Sequence, residues 1–300
     1  MKVLIAGATG LIGKELVRQC EEASIEVHYL TTRKNMVQRS GNVIGFYWNP
    51  SKGEIDEKAF DGVSAVINLA GASVSKRWTK TYKTQILESR ILSARLIKTT
   101  LQRIQHEVTH YISSSGISIY PSSKHKLYAE EDTVQSETFL GKVVADWETA
   151  ADELSDLGIK VSKVRTGIVL QSDEGALAKL VAPIKSGVGA ALGSGQQWQS
   201  WIHVRDIAGI YMFLLMHSLE GVYNGVAPSP VTNSKMTRAI AQRLKKPLWL
   251  PKVPGWFLKV LFGEMSEIVL ESQLVSAKKL EEAGYDFHFV NLEKALEDLL

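Results

Sequence analysis

Residues 3–13 read VLIAGATGLIG, in which a short apolar run leads directly into glycines at positions 7, 10 and 13. The run Val3–Ala6 is typical of a parallel strand covered on both faces, and Leu11–Glu22 has the pattern of a helix. In such a strand–loop–helix unit the first glycine permits a tight turn and the second lets the backbone approach a pyrophosphate. The third lets helix and strand pack closely, and the helix N-terminus favours an anion. The stretch therefore predicts a dinucleotide-binding loop, the alternative being a glycine-rich turn without a ligand.

The rest of the chain alternates strands and helices as far as residue 170. Strands are predicted at 26–31, 43–47, 65–69, 108–113 and 160–170, and helices at 80–104 and 137–157. This rhythm predicts an α/β fold with a doubly wound parallel Rossmann sheet.

The rhythm ends after residue 170, which suggests a second unit. We predict a dinucleotide-binding domain over residues 1–170, completed by 204–226, where a helix at 206–217 precedes one more strand. A smaller, mostly helical substrate lobe is predicted over residues 171–300, mainly 171–203 and 227–300.

Composition narrows the class of protein. With 45% hydrophobic residues the chain can bury a large core, and its net charge of +3 is spread without a basic run, which argues against a nucleic-acid partner.

No targeting or membrane-spanning segment is visible, so we expect a cytoplasmic protein without a membrane partner. The single cysteine, Cys20, lies in the first predicted helix and suits a small core residue better than a nucleophile. We expect no metal site, because His106 and His110 have no acidic or cysteine cluster beside them.

The end of the second strand indicates which dinucleotide is bound. An acidic residue there would accept hydrogen bonds from the adenosine ribose of NAD. This chain instead reads Thr31-Thr32-Arg33-Lys34, and a hydroxyl beside two cations suits a 2′-phosphate. We therefore predict NADP(H), with a solvated basic turn as the alternative.

The helix at 80–104 carries a cation among apolar residues. Arg90 shares a helical stripe with Tyr82, Ile86, Ala94, Ile97 and Leu101. A cation on a core-facing stripe needs an anionic or polar partner, either a bound phosphate or a buried carboxylate. We favour the ligand over a buried carboxylate and over an arginine that reaches out to solvent.

Several motifs in order resemble an extended short-chain dehydrogenase/reductase. They are GATGLIG at 7–13, NLAG at 68–71, SSSGISIY at 113–120, RTGIVL at 165–170 and WIHVRD at 201–206. The segments NGVAPSPVTN at 224–233, LPKVPGWFLKVLFGEMSEIVLESQ at 250–273 and KLEEAGYDFHF at 279–289 resemble the atypical "epimerase family" branch. Members of that branch end in a domain of unknown function.

The resemblance implies a set of residues that hold NADP(H). It comprises Gly7, Thr9, Gly10, Leu11, Ile12 and Gly13 in the loop, Thr32 and Arg33, Leu69, Ala70 and Gly71, Gln85 and Arg90 on the long helix, and Val169 near the nicotinamide. The turn Asn68–Gly71 also falls at the carboxyl edge of the sheet, where ligands sit in open α/β folds, although an ordinary turn explains it equally well.

The catalytic pattern departs from the family. Standard members use a serine and then Tyr-x-x-x-Lys on the next helix. Here that helix, anchored on Glu148, places Leu140 and Val144 at the two positions. The literal match Tyr120–Lys124 precedes the helix and contains Pro121, so we interpret it as coincidence. Ser115, with Ser114 as its neighbouring alternative, and Tyr120, which would approach the nicotinamide from its loop, are the candidate catalytic residues.

Two hypotheses follow. The first is an NADP-dependent oxidoreductase or epimerase with an atypical active site, acting on an unknown small molecule that enters between the lobes. The second is a non-catalytic or redox-responsive NADP(H)-binding module, which the missing Tyr and Lys favour. His203 is expected to be structural and Asp206 to cap the helix that follows it. Trp48, Trp78, Trp198 and Trp201 either border a cleft or pack between the lobes.

Overall fold

A computed structural model describes residues 1–300 of the chain. The strands are β1 (Lys2–Ala6), β2 (Glu26–Thr31), β3 (Arg39–Ser40), β4 (Val43–Asn49), β5 (Glu54–Ile55), β6 (Ala65–Asn68), β7 (His110–Gly116), β8 (Leu127–Tyr128), β9 (Lys160–Thr166), β10 (Ile168–Leu170), β11 (Trp198–Gln199), β12 (Trp201–His203), β13 (Gly221–Gly225), β14 (Val231–Thr232) and β15 (Leu274–Val275). The helices are α1 (Leu11–Glu22), α2 (Lys80–Arg103), α3 (Phe139–Asp152), α4 (Gly175–Lys185), α5 (Val204–His217), α6 (Asn233–Arg243), α7 (Gly255–Phe262), α8 (Glu267–Leu270), α9 (Lys278–Glu282) and α10 (Leu292–Leu299).

The central sheet has the strand order of a doubly wound fold. Its parallel strands lie in the order β4, β2, β1, β6, β7, β9, β13, and the short strands β3 and β5 pair antiparallel with β4. The chain moves outward in one direction from β1 to β4 and in the other from β6 to β13, so the order reverses between β1 and β6. The predicted α/β Rossmann fold is confirmed.

Helices cover both faces of this sheet, which explains the near-continuous apolar strands. On one face α1 and α5 contribute Leu16, Cys20 and Leu214 to the core; on the other, α2 and α3 contribute Ile97 and Ala151. Burial raises the pKa of the Cys20 thiol to about 12, so the cysteine stays protonated, as expected for a core residue. None of the helices is long and apolar enough to cross a membrane.

The sixth predicted strand, 160–170, is wrong as a single element because the chain leaves the sheet at Gly167. A Cβ at this glycine would lie 2.3 Å from the carbonyl oxygen of Ser200. The close approach bends the chain, so that β9 stays in the sheet while β10 pairs with β12. Only a residue without a side chain fits this bend.

The C-terminal part of the chain contributes to two cores. A third apolar cluster is built from α4, α6 and α10 and includes Leu177, Ile240 and Leu296. Val275 and Leu280, by contrast, pack into the core beneath α1 and α5. The predicted lobe boundaries stay a prediction, because the C-terminal segment packs on both units.

Asp206 does not cap α5, so that prediction is wrong. The N-cap is His203, whose Nδ1 accepts a hydrogen bond from the backbone of Arg205 at 3.1 Å. The buried carboxylate of Asp206 instead accepts backbone N–H bonds from His288 and Phe289 at 2.9 and 3.0 Å. It therefore fastens the C-terminal segment to the sheet domain. The ring of His203 stacks on Phe289 with centroids 3.8 Å apart, which fits the structural role expected for it.

We expect Asp206→Ala to lower the free energy of unfolding by about 2 kcal/mol, because two N–H donors lose their acceptor. Asp206→Asn keeps one side-chain oxygen and should lose less. Urea denaturation of both variants measures the difference. An unchanged free energy of unfolding in Asp206→Asn would show instead that the side chain acts only by filling space.

Candidate functional site

A cleft of about 870 Å³ opens at the carboxyl edge of β1, β2, β4 and β6, beside the first turns of α2. Seven of the predicted cofactor residues line it: Gly7, Thr9, Thr32, Arg33, Ala70, Gly71 and Gln85. Trp48 and Pro50 form the wall at the end of β4. The cleft adjoins the point where the strand order reverses, which is where open α/β sheets bind ligands.

The glycine loop is closely packed by backbone alone. Gly7 has φ +85°, and a Cβ there would lie 2.8 Å from the carbonyl carbon of Leu69. A Cβ at Gly13 would lie 2.2 Å from the carbonyl oxygen of Gly7. Gly10, in contrast, is exposed at the N-cap of α1, where no side chain accepts a hydrogen bond from the helix. The first turn of α1 contains no acidic residue, so its free N–H groups suit an anion.

Arg33 stands at the mouth of the cleft, next to this loop. Its Nη2 donates to the hydroxyl of Thr9 at 3.4 Å, and its backbone N–H donates to the hydroxyl of Thr31 at 3.2 Å. Both Thr32 and Arg33 are exposed. The guanidinium has no carboxylate partner, so most of its donors face the open cleft.

The turn after β6 is held by side chains of α2 and β7. The amide nitrogen of Asn68 donates to Ser93 at 3.1 Å and to the Tyr111 hydroxyl at 2.8 Å. Its carbonyl oxygen accepts from the backbone of Ala70 at 3.1 Å. Because every group of the Asn68 amide has a partner, the turn is fixed before a ligand arrives.

Arg90 is partly buried and is bonded to the backbone of the protein. Its Nη1 donates to the carbonyl oxygens of Ala72 and Ile86 at 3.2 and 2.8 Å. Burial lowers the pKa of Arg90 to about 10, since no carboxylate lies within ion-pair distance. A Cβ added at Gly71 would lie 3.1 Å from the guanidinium carbon. Of the two partners considered from the sequence, the buried carboxylate is therefore absent.

The remaining predicted cofactor residues lie around the cleft rather than in its wall. Leu11 meets Gly175, at the start of α4, where a Cβ would lie 2.7 Å from its Cδ1. Ile12, Leu69 and Val169 are partly buried and pack against the core beneath α1 and α5.

The two candidate catalytic residues belong to one buried polar network. Ser115 donates to the carboxylate of Glu148 at 2.6 Å. Arg165 makes a two-pronged contact with the same carboxylate at 2.8 and 2.9 Å, and donates to the Tyr120 hydroxyl at 2.9 Å. Tyr120 in turn donates to the side-chain oxygen of Asn224 at 2.8 Å. The network links β7, α3, β9 and β13 below the carboxyl edge of the sheet.

Burial and charge fix the protonation states in this network. Burial raises the pKa of Tyr120 to about 12, and its side chain is wholly inaccessible to solvent. Burial also acts to raise the pKa of Glu148, but Arg165 and the Ser115 hydroxyl together bring it below its usual value. Tyr120 is therefore a neutral donor committed to Asn224, and Glu148 is ionised. The catalytic roles of Ser115 and Tyr120 stay predictions.

The sequence reasoning missed Glu148 and Arg165 as a pair. Glu148 carried a signal, because it lies on the helix face that carries Val144. Arg165 carried none, because its strand also contains Lys160 and Lys163, and nothing in the sequence marks it as the buried cation.

The positions expected for Tyr and Lys hold no proton-transfer group. Val144 is buried, and its Cγ2 lies 3.4 Å from where Gly116 would carry a Cβ. Residues 120–124 are not helical, and Lys124 is exposed, so Tyr120 and Lys124 share no helix face. The literal Tyr-x-x-x-Lys match is therefore a coincidence of sequence.

The four tryptophans were expected either to border a cleft or to pack between the lobes, and they differ in what they do. Trp48 lines the cleft. Trp201 is wholly buried, with its N–H donated to Ser229. Trp78 and Trp198 are half-buried and donate to the backbone of Val74 and Lys124, so they hold loops in place.

Comparison with known proteins gives consistent matches over the whole chain. Residues 3–225 match the model of the NAD dependent epimerase/dehydratase family, and residues 253–299 match a domain of unknown function, DUF1731. An epimerase family protein of Staphylococcus aureus is 33% identical over 300 residues, covering 99% of this chain and 98% of that protein. The crystal structure of the human epimerase family protein SDR39U1 with NADPH superposes with a TM-score of 0.86. It is 27% identical, and the match covers 100% of this chain and 99% of that one. The UDP-glucose 4-epimerase of Thermus thermophilus, solved with NAD, has a TM-score of 0.78 at 19% identity, covers 100% of this chain and 97% of that one, and is similar in fold alone.

The loop geometry separates two kinds of glycine substitution. Gly10→Val adds a side chain at an exposed position, so cofactor binding should fall strongly while the melting temperature changes little. Gly13→Ala forces a Cβ against backbone and should destabilise the fold. Thermal melts and titration with NADPH check both variants. A folded Gly10→Val protein with unchanged affinity would exclude this loop as the pyrophosphate site.

The buried ion pair should behave asymmetrically on mutation. Glu148→Leu leaves Arg165 buried without its anion and should cost about 3–5 kcal/mol of stability, whereas adding Arg165→Met should recover part of that loss. Denaturant titration of the single and double variants provides the test. A double variant less stable than Glu148→Leu alone would contradict this account.

The pH dependence of stability follows from the same pair. Because the folded protein holds the Glu148 pKa below its usual value, the stabilisation is complete above the carboxyl's ordinary pKa and is lost as pH falls through the folded value. The double variant should therefore lose less stability between neutral and acidic pH than the wild type.

Proposed function

The chain belongs to the NAD dependent epimerase/dehydratase family, and from this we propose that it is an NADP(H)-dependent oxidoreductase or epimerase of the extended short-chain dehydrogenase type, acting on a small molecule. The choice of NADP(H) rests on the residues at the end of β2. There Thr32 and Arg33 face the cleft, and no carboxylate stands where a free ribose would need one. The donor set fits a 2′-phosphate, because a guanidinium fork and a hydroxyl both donate.

The residues of the cleft have distinct roles in this proposal. The loop from Gly7 to Gly13 would hold the pyrophosphate, and Arg33 with Thr32 would hold the 2′-phosphate. Ala70 and Gly71 present a small-residue surface on which the cofactor can lie, while Gln85 offers an exposed amide on α2. Bound nicotinamide would supply the hydride chemistry, and the protein would position it.

One observation favours a second candidate, a non-catalytic or redox-responsive NADP(H)-binding module. Leu140 and Val144 replace the proton-transfer pair, and the Tyr120 hydroxyl is enclosed and bonded to Asn224. A binding module needs the cleft but no proton donor. Consumption of NADPH with a panel of small carbonyl compounds would favour the enzyme; tight binding without turnover would favour the module.

We expect Arg33→Ala to weaken NADPH binding about tenfold, since a partly exposed charge-assisted contact is lost, and to leave NADH binding nearly unchanged. Added salt should narrow the preference of the wild type for NADPH. Calorimetric titration of both proteins with both cofactors measures these effects.

The matched control is Lys124→Ala, which removes an exposed cation away from the cleft and should leave both affinities unchanged. Equal affinity of the wild type for NADH and NADPH would refute the assignment of Arg33.

A further inference from the structure

A second pocket, of about 470 Å³, opens between the first turns of α2, the start of α3 and the C-terminal segment. The residues of α2 that line it recur at positions i, i+3, i+4 and i+7 and so share one face of the helix. They are Lys80, Lys83, Thr84 and Leu87. We call this space the α2–α3 pocket.

Part of the wall of the α2–α3 pocket is aromatic. The rings of Trp78 and Phe139 meet edge to face, with their centroids 5.1 Å apart. The indole N–H of Trp78 is donated to the backbone of Val74 at 2.9 Å, so the indole ring offers only apolar surface to the pocket. An apolar ring of a ligand can therefore pack against these two side chains.

The charged groups of the pocket leave an excess of positive charge. The Lys83 ammonium donates to the Glu264 carboxylate at 2.6 Å and lies 4.4 Å from the centroid of the Phe139 ring. An ammonium has three donors, so Lys83 keeps others for a ligand. Lys80 is exposed and pairs with no carboxylate. Because α2 begins at Lys80 and has no acidic residue in its first turn, the helix dipole adds to this charge. Two ammonium groups beside one carboxylate suit a ligand with a single negative charge.

The α2–α3 pocket adjoins the cofactor cleft on the side away from Arg33. Lys80 and Thr84 line both spaces, which therefore meet at the first turns of α2. Phe139 opens the helix that follows β7, whereas Arg33 lies at the end of β2, on the other side of β1. A dinucleotide spans the point where the strand order reverses, with one half on each side. If Arg33 holds the adenosine half, the pocket lies beside the nicotinamide half.

Resting on the proposed function, we infer that the α2–α3 pocket binds the substrate, and that the substrate is a small carboxylate with an apolar ring. The ring packs on Trp78 and Phe139, and the ammonium groups of Lys80 and Lys83 hold the carboxylate. Glu264 anchors Lys83 and limits the pocket to one negative charge, which disfavours the doubly charged diphosphate of a nucleotide sugar.

Three probes separate the two parts of this recognition. Phenylpyruvate carries a ring and a carboxylate, phenylacetone has a methyl group in place of the carboxylate, and pyruvate lacks the ring. In calorimetric titrations of the protein saturated with NADP⁺, where no hydride is available, we expect phenylpyruvate to bind about tenfold more tightly than either fragment. It should also bind more tightly than UDP-glucose.

Two charge substitutions should change the affinity for phenylpyruvate in opposite directions. Lys83→Gln removes a cation and should weaken its binding about tenfold, while phenylacetone binding stays unchanged. Glu264→Gln removes the competing anion and should strengthen phenylpyruvate binding about threefold, because Lys83 still lies over Phe139. Neither residue lines the cleft, so the affinity of both variants for NADPH should equal that of the wild type.

The matched control is Lys76→Gln. It removes an exposed cation from the loop before α2 that lines neither the pocket nor the cleft. This variant should bind phenylpyruvate and NADPH as the wild type does, which separates a local contact with Lys83 from a general loss of positive charge.

The outcomes distinguish this inference from the proposed function. Wild-type protein that binds NADPH but not phenylpyruvate overturns the inference and leaves NADP(H) binding intact. Equal affinity for phenylpyruvate and phenylacetone, equal effects of Lys83→Gln and Lys76→Gln, or tighter binding of UDP-glucose also overturns it. Failure of the wild type to bind NADPH overturns both proposals.

Discussion

The close contact of three backbone segments is the constraint on which the site depends. Gly13 brings α1 against the loop, and Gly7 brings the loop against the turn after β6. Neither position tolerates a Cβ without displacing backbone. This contact places the N-terminus of α1 beside the ends of β1 and β6. The close packing at the two glycines therefore fixes both where an anion can bind and how wide the cleft is. The strand register that carries Gly7 and Leu69 to the same edge follows from the pairing of Val3 with Ala65.

A second constraint is the buried ion pair between Glu148 and Arg165, which lies below the carboxyl edge of the sheet. Two charges are stable there because each has several partners: Ser115 and Tyr120 complete the hydrogen bonds of the carboxylate and the guanidinium. The network also joins β13 to β7 through Asn224. Ser115 and Tyr120, the candidates for proton transfer, thus bond to the buried charges of Glu148 and Arg165. This bonding fixes the positions of both side chains.

Much of the fold was predictable from the sequence because its signals are local. Apolar runs of strand length, one long amphipathic helix and the spacing of three glycines identify the Rossmann sheet and the cleft wall from Gly7 to Arg33. The errors arose where tertiary contacts decide. Gly167 breaks a strand because Ser200, thirty-three residues later, approaches it, and Asp206 serves a segment eighty residues away. No local pattern reports such contacts. The partnership of Glu148 with Arg165 was not predictable either, because the strand of Arg165 carries two further cations, Lys160 and Lys163. Only the structure shows which cation is buried and that Ser115 and Tyr120 join the pair.

The two halves of the cleft differ in what the chain has retained, and this difference bears on function. On the side of Arg33 the features of a nucleotide site are present: free helix N–H groups, an unpaired guanidinium and a preformed turn. On the other side, Leu140 and Val144 stand where the family's proton-transfer pair is expected, and the Tyr120 hydroxyl donates to Asn224 inside the core. The chain thus keeps a nucleotide site without the usual pair beside it. A module that only binds NADP(H) needs the first of these features alone. An enzyme also needs a proton-transfer group, which this chain would have to supply from a different position.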